Sequence, residues 1–188
     1  MLPPAAHYVP DYIDRTHELA LLQSIDKSAW LGDLKRRVQH YGFRYDYRAR
    51  RVTNNSYLGP LPDWLSALAD RLMKDDIFRA RPDQVIVNEY WPGQGIAPHV
   101  DCEPCFGETI ASLSLGSTCS MEFSHIQSRQ SSSQFLAPRG LLVLNGEARF
   151  NWTHGIPARK SDMVGGKKVH RERRVSLTFR TVVTTQAL

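Results

Sequence analysis

Hydrophobic spacing divides the chain into a helical first part and a strand-rich second part. After Asp14, a residue suited to capping a helix, Leu19, Leu22 and Ile25 recur at three-residue steps with Trp30 beyond them, which predicts a helix packed on one side of the domain. Pro60 to Phe78 predicts a second helix, with Leu65, Leu68, Leu72 and Met73 on one face and Pro62 near its start. From Gln84 onward the period shortens to that of strands, predicted over 84–90, 109–115, 119–124, 140–144 and 174–180. Glycine- and serine-rich turns separate these strands, and no helical segment long enough for a parallel crossover lies between them. Antiparallel pairing follows, in an α+β chain whose second half is a double-sheet roll or barrel with the two early helices outside. Residues 124–134 read as a polar loop. Gly165 to Lys168 reads as another, running through His170, Arg171 and Arg173 as a solvated basic stretch.

Between residues 33 and 55 the pattern is aromatic and basic, Tyr41-Gly-Phe-Arg-Tyr-Asp-Tyr47 followed by Arg48, Arg50 and Arg51. A half-buried hairpin with a solvated basic edge would explain it. So would a lid that contacts nucleic acid, since such contacts combine stacking faces with cations.

Composition narrows the setting. With 188 residues, 41% hydrophobic and 23% charged, the chain is expected to form one globular domain, 1–188, with the helices in 1–84 and the strand-rich part in 85–183. No apolar run reaches the length of a membrane span, and Met1 to Pro10 lacks the basic flank and apolar stretch of a signal peptide, so a cytoplasmic protein without a membrane partner is expected. A net charge of +5 permits a polyanionic partner without requiring one. The three cysteines, Cys102, Cys105 and Cys119, are an odd count and do not suggest a disulfide framework. Cys102-Glu-Pro-Cys105 has the spacing of a redox pair or half a zinc site. No second pair completes a zinc site, and inert thiols are the expectation.

Four polar constellations carry candidate chemistry. Asn88 and Tyr90 are two positions apart, as are His99 and Asp101, and on extended backbone such residues point to one face. Two histidines and a carboxylate on one face of an octahedron hold a ferrous ion and leave positions open for other ligands. His99 and Asp101 supply two such ligands, and His154, arriving later from another strand end, offers the third. A His-x-Asp pair alone is weak evidence, because such pairs are common on surfaces. In Arg174-Val-Ser-Leu-Thr-Phe-Arg180, Val175, Leu177 and Phe179 face one way while Arg174, Ser176, Thr178 and Arg180 face the other. If the polar face looks into a barrel, both guanidinium groups need anionic partners, and a dicarboxylate would satisfy them.

Asn88-Glu-Tyr90, His99-Val-Asp101, His154 and Arg174 to Arg180, in that order, resemble the signature of the AlkB family of Fe(II)- and 2-oxoglutarate-dependent dioxygenases. Tyr90-Trp-Pro-Gly-Gln-Gly, Ser112-Leu-Ser-Leu-Gly116 and Leu142-Val-Leu-Asn-Gly-Glu147-Ala-Arg149 extend the similarity, which runs from about Tyr12 to Val183. The resemblance implies a double-stranded β-helix, or jelly roll, with the helices outside it and a nucleotide-recognition lid. It implies iron held by His99, Asp101 and His154. It also implies 2-oxoglutarate held by Arg174, Tyr90 and Asn88, with Ser176 on the same face and Arg180 near the iron end. Dioxygen completes the set, and oxidative decarboxylation to succinate and carbon dioxide drives hydroxylation of a substrate carbon. Where that carbon sits on a base nitrogen, the product releases an aldehyde.

Members of this family act on alkylated bases in DNA or RNA, on modified tRNA, and in some branches on protein or lipid. Tyr41 to Tyr47, Ser112 to Gly116 and His154-Gly-Ile-Pro-Ala-Arg-Lys160 are most similar to the branch that hydroxylates a modified wobble uridine in tRNA. Dealkylation of methylated or etheno-modified bases in DNA or tRNA by a monomer is the expectation, with wobble-uridine hydroxylation and protein or small-molecule hydroxylation as alternatives. A non-catalytic binding module is disfavoured by the complete ligand set. Tyr45, Tyr47, Arg48, Arg50 and Arg51 are the candidate lid over a flipped base. Trp91 is either a stacking surface or, as its size favours, a core residue.

Overall fold

The alternation along Arg174–Arg180 becomes, in the computed structural model, a strand with an oily face and a charged one. Residues 1–32 and 35–183 are described; the start of the aromatic-basic segment at 33 and 34 and the last five positions of the expected domain, 184–188, lie outside them. The strands are β1 (Ala6–Val9), β2 (Val38–Tyr41), β3 (Gln84–Tyr90), β4 (Ile96–His99), β5 (Ile110–Gly116), β6 (Cys119–His125), β7 (Ser131–Leu136), β8 (Leu141–Leu144), β9 (Trp152–Ile156), β10 (Ser161–Val164), β11 (Lys167–His170) and β12 (Arg174–Arg180). The α-helices are α1 (Arg15–Lys27), α2 (Asp63–Lys74) and α3 (Gly146–Phe150).

A six-stranded sheet runs β1-β8-β5-β12-β3-β2, a four-stranded sheet runs β4-β9-β6-β7, and β10-β11 form a separate hairpin. Every pairing between these strands is antiparallel. This is the α+β roll expected from the pattern, with a core on each side of the larger sheet. Val85, Val87, Leu113, Leu115, Leu141, Val143, Val175, Leu177 and Phe179 pack under Leu21, Ile25, Leu65, Leu68 and Leu72 of α1 and α2. The alternate residues of the same strands turn inward, where Ile110, Leu142 and Leu144 meet Met121, Phe123, Trp152 and Ile156 of the smaller sheet. The period of two thus places hydrophobic residues under the helices and Asn88, Tyr90, Arg174, Ser176, Thr178 and Arg180 between the sheets.

The helix and loop expectations need correction in detail. Asp14 caps α1 by accepting from the His17 main-chain nitrogen at 2.8 Å. The buried face is Glu18, Leu21 and Ile25, whereas Leu19 is 48% exposed. Glu18 takes a core position because its carboxylate accepts from Gly116 N at 2.8 Å and pairs with Arg139 at 3.2 Å. α2 stops at Lys74, short of Phe78, where Asp76 adopts a left-handed φ of 55° and Ile77 N turns back to Leu72 O. Ser131 to Gln134, expected as the end of a loop, instead belongs to the edge strand Ser131–Leu136, which pairs with β6 and exposes Ser131 and Ser133. The Gly165-Gly166 turn is not an open loop. Both glycines have positive φ, 54° and 79°, and close the β10–β11 hairpin. Nor is the basic stretch wholly solvated, since Arg171 is buried against Asp162 and Arg173 bridges Glu89 and Asp26.

Candidate active site

Register brings the two histidines together. β4 and β9 pair so that His99 stands opposite His154, after a shift in register between Ile96 and His99. The ring centroids are 4.5 Å apart, and Asp101 follows where the chain leaves β4. One ligand atom from each of His99, Asp101 and His154 lies within 4.8 Å of the others, a cluster that could hold a metal ion. His99 Nδ1 is 2.9 Å from Ala97 O, so the main chain fixes the ring and leaves Nε2 toward the cluster.

Two buried arginines hold the Asp101 turn. Arg180 donates from Nε and Nη2 to Oδ1 at 2.9 and 2.5 Å. Arg149, delivered by α3, donates to the carbonyls of Asp101 at 3.0 Å and of Cys102 at 3.3 Å. Burial alone would push the Asp101 carboxyl up, but Arg180, with His154, His99 and Arg149, holds it well below the usual carboxylate range. Burial lowers His154 to about 4, against an opposing pull from Asp101, so its imidazole is neutral at ordinary pH. Oδ2 of Asp101 is buried without a hydrogen-bond partner among the described residues, 3.4 Å from Nε2 of His154. A neutral imidazole and an ionised carboxylate oxygen meeting without a hydrogen bond suit a shared cation between them.

At the second end of the cavity the described lining residues are cationic and neutral. On β12, Arg174 lies opposite Tyr90 of β3 and Gly116 of β5, and Ser176 lies opposite Asn88 and Ser114. Arg174 is buried and donates from Nη2 to Ser114 Oγ at 2.8 Å, while its Nε and Nη1 have no partner among the described residues. Its guanidinium carbon is 5.4 Å from the centre of the Tyr90 ring. A buried cation with two unused donors fits an absent carboxylate.

One cavity of about 410 Å³ joins both ends and is lined by all three cluster residues and by Asn88, Tyr90, Arg174, Ser176 and Arg180. Of the residues expected in the lid, Tyr45, Tyr47 and Arg50 line this cavity, whereas Arg48 and Arg51 are exposed and do not. Tyr45 packs on Phe106 at 5.6 Å and on Tyr47 at 5.1 Å. Trp91 is neither core nor part of this space. It is 49% exposed and borders a separate groove with Leu19 and Leu22, because it starts a turn in which its N–H donates to Gln94 Oε1. Thr178 was placed on the polar face by the alternation of β12, whereas Arg36, Ser114 and Arg149 were given no role. The alternation in Ser112-Leu-Ser-Leu could have assigned Ser114, and Arg149 falls in a stretch similar to the family without its role being indicated, but nothing local marks Arg36.

Cys102 and Cys105 are also not the inert thiols expected. A turn in which Cys105 N and Phe106 N both donate to Cys102 O brings their Cα atoms to 5.2 Å, and a disulfide joins them beside Asp101. Both sulfurs lie against the Arg50 carbonyl, at 3.2 and 3.5 Å. Cys119 is free and buried.

Comparison with known proteins bears on this geometry. A protein-family profile described as the 2OG-Fe(II) oxygenase superfamily matches residues 8–180. The chain belongs to that superfamily, in its AlkB family. It is 38% identical over 180 residues to the uncharacterized protein L905 of Acanthamoeba polyphaga mimivirus, covering 93% of this chain and 83% of that one. It is 38% identical over 202 residues to the alkylated DNA repair protein ALKBH8 homolog of Arabidopsis thaliana, spanning 95% of this chain but 58% of the relative. Against the mouse tRNA (carboxymethyluridine(34)-5-O)-methyltransferase ALKBH8 the identity is 38% over 172 residues, 87% of this chain and 26% of the relative. The solved structure of OsALKBH1 superposes with a TM-score of 0.72 at 18% identity, covering 96% of this chain and 98% of that one, and so shares the jelly-roll fold. The AlkB-family protein is a dioxygenase, and its cofactors are Fe(II), 2-oxoglutarate and dioxygen. Among the described residues no helix is long and apolar enough to cross a membrane.

Proposed function

We propose that this chain hydroxylates an alkyl carbon on a base of DNA or tRNA, so that a methylated or etheno-modified base loses its adduct as an aldehyde. In this reading residues 1–84 contribute the outer helices and lid and residues 85–183 the catalytic roll. His99, Asp101 and His154 hold Fe(II). Arg174 receives the distal carboxylate of 2-oxoglutarate, Tyr90 and Asn88 add hydrogen bonds, and Ser176 completes the polar wall. Arg180 acts through Asp101, keeping one carboxylate oxygen turned toward the metal. Together Fe(II), 2-oxoglutarate and dioxygen supply an oxidant strong enough to break a C–H bond, with succinate and carbon dioxide as by-products. The protein's part is to exclude water and to hold the target carbon against the metal.

The observation that carries this reading is that one cavity is lined together by Arg174 with its unfilled donors, by the His–Asp–His cluster, and by Tyr45, Tyr47 and Arg50. An aromatic pair beside a cation suits a base extruded from its stack with its phosphate nearby. The relatives named for alkylated DNA repair and for tRNA modification support a nucleic-acid substrate. The tRNA name, with the similarity across 87% of this chain, favours one second reading, hydroxylation of a modified wobble uridine without aldehyde release.

Purified protein with Fe(II), ascorbate and 2-oxoglutarate, offered methylated oligonucleotides and separately tRNA, is expected to form succinate and formaldehyde in equal amounts on the methylated substrate. Succinate with a tRNA nucleoside 16 Da heavier and no formaldehyde would select the second reading. No substrate-dependent succinate from either would refute both.

A further inference from the structure

Arg36 and Arg37 are consecutive cations sent to opposite faces of the same sheet. Glu89 N donates to Arg37 O at 3.0 Å, so the backbone approach to β2 runs beside β3 before the paired residues begin. Arg37 reaches the outer face and grips buried Glu89 at 2.6 and 2.9 Å. Arg36 turns inward and lines the cavity. Its Nε donates to Asn88 Oδ1 at 2.9 Å, and its guanidinium carbon lies 5.8 Å from the centre of the Tyr90 ring and 6.0 Å from that of Tyr47.

That contact settles which way the Asn88 amide points. A guanidinium nitrogen only donates, so the atom facing it must be the amide oxygen, and the reverse orientation would set donor against donor. Asn88 is buried on the cavity wall, which leaves its NH2 as the group offered to an occupant. Tyr47 presents a second donor. Its hydroxyl is buried with no partner among the described residues, although its ring is fixed edge-on against His40 at 5.7 Å and Tyr45 at 5.1 Å. With Nε and Nη1 of Arg174, the unfilled groups here are donors, as an anion with several oxygens requires.

We propose that Arg36 is a positioning residue for the keto acid, orienting Asn88 as a donor and, with Tyr47, forming a clamp that closes the cosubstrate end of the cavity from the lid side. The inference rests on 2-oxoglutarate binding at Arg174 and adds a coupling: the segment that covers the substrate is tied to the cosubstrate first. Binding of 2-oxoglutarate then orders residues 36–51 before nucleic acid arrives, by giving the Tyr47 hydroxyl an acceptor and Arg36 an anion to face. Arg36→Met frees the amide of Asn88 to rotate. Tyr47→Phe removes one oxygen and little else.

The test is 2-oxoglutarate affinity by calorimetry in the presence of Mn(II), together with trypsin cleavage at the exposed lid arginines Arg48, Arg50 and Arg51. Wild-type protein is expected to bind 2-oxoglutarate and to gain several-fold protection of these sites on binding. Arg36→Met and Tyr47→Phe are each expected to weaken binding by about tenfold and to lose the protection, with Mn(II) affinity unchanged; Arg36→Lys restores part of the affinity. Asn88→Ala is expected to have little further effect in the Arg36→Met background, a coupling that a merely structural role for Arg36 would not produce. Wild-type affinity and protection in both variants would overturn the clamp while leaving the cosubstrate site intact. Should Arg36→Met fail to fold, Tyr47→Phe still decides. Failure of wild-type protein to bind 2-oxoglutarate, or an Arg174→Met variant that binds it normally, would instead overturn the reading on which the clamp rests.

Discussion

Arg180 directs two donors, Nε and Nη2, to a single oxygen of Asp101, and the other carboxylate oxygen has no hydrogen-bond partner among the described residues. The two residues are 79 positions apart, one at the end of β12 and the other just after β4. Asp101 is thereby prevented from presenting both oxygens symmetrically. Its ionised state and its single free oxygen have the same cause, a charge held in place by the larger sheet.

Removing Arg180 should therefore damage the metal site without touching a ligand. Arg180→Met is expected to reduce Mn(II) or Co(II) affinity by about 10- to 100-fold, the range for losing a partner that orients a ligand. Arg180→Lys should recover part of this, because a single ammonium offers charge without the planar fork. Metal titration of the three proteins checks it. Equal affinities would mean that Arg149, through the Asp101 and Cys102 carbonyls, suffices to place the carboxylate.

Arg174 should show opposite effects on binding and on the empty fold. Arg174→Met deletes donors proposed to meet 2-oxoglutarate, and cosubstrate binding should weaken by about 1.5–3 kcal/mol or more. The same change removes a buried, incompletely paired charge, so the ligand-free protein should resist denaturant at least as well as wild type. Calorimetric titration and urea unfolding without 2-oxoglutarate measure the two effects. Loss of binding accompanied by an equal loss of fold stability would assign Arg174 a structural role instead.

The parts most legible in the sequence were long strands with one face committed to the core. Gln84–Tyr90 and Arg174–Arg180 were bounded to the residue because Val85 and Val87, and Val175, Leu177 and Phe179, belong to the helix-facing core, and a slip of one would invert both faces. β4 was not predicted, although its His99 was, because it is four residues long, contains Pro98 and shifts register on the way to the histidine. The basic stretch after Lys168 misled for a related reason: charge alone does not reveal that Asp162 sits across the hairpin to bury Arg171. Trp91 follows the last strand residue, and the turn to Gln94 carries it outward despite its size. Individual site residues could be chosen from spacing, but the Arg180–Asp101 and Arg36–Asn88 pairs depend on register between distant strands, which no local pattern contains.

The metal-free protein should weaken on mild acidification. Burial lowers His154 to about 4 in the folded chain, against a value of 6.5 when it is exposed. Between those values the unfolded chain holds a proton that the folded chain does not, so stability present above about pH 6.5 is lost as pH falls toward 4. The loss from this group is on the order of a few kcal/mol. Asp101, held low, adds a further loss only below the ordinary carboxylate value of 3.8, which separates the two effects. Urea unfolding of chelator-treated protein at pH 7 and pH 5 reads the first, and His154→Gln should flatten the difference. An unchanged slope in that variant would place the sensitivity elsewhere.

Gly155 should matter through the gap it keeps between β4 and β9. A Cβ placed there would lie 2.9 Å from Pro98 N and 3.0 Å from Ile96 O, both backbone atoms of the strand that carries His99. These atoms cannot rotate aside, so Gly155→Ala must push β4 away from β9 next to the His99–His154 pair. Because β9 is also paired with β6 and anchored in the core by Trp152 and Ile156, while the three atoms nearest the added methyl all belong to β4, the fold should survive while the ligand spacing opens. The expected result is a metal affinity at least tenfold lower with a melting temperature within a few degrees of wild type, a displacement of ligands by a fraction of an ångström being enough to weaken a preorganised site. Metal titration beside thermal unfolding checks it: normal affinity would show that β4 yields without moving His99, and a large drop in melting temperature would show that the two sheets share the strain.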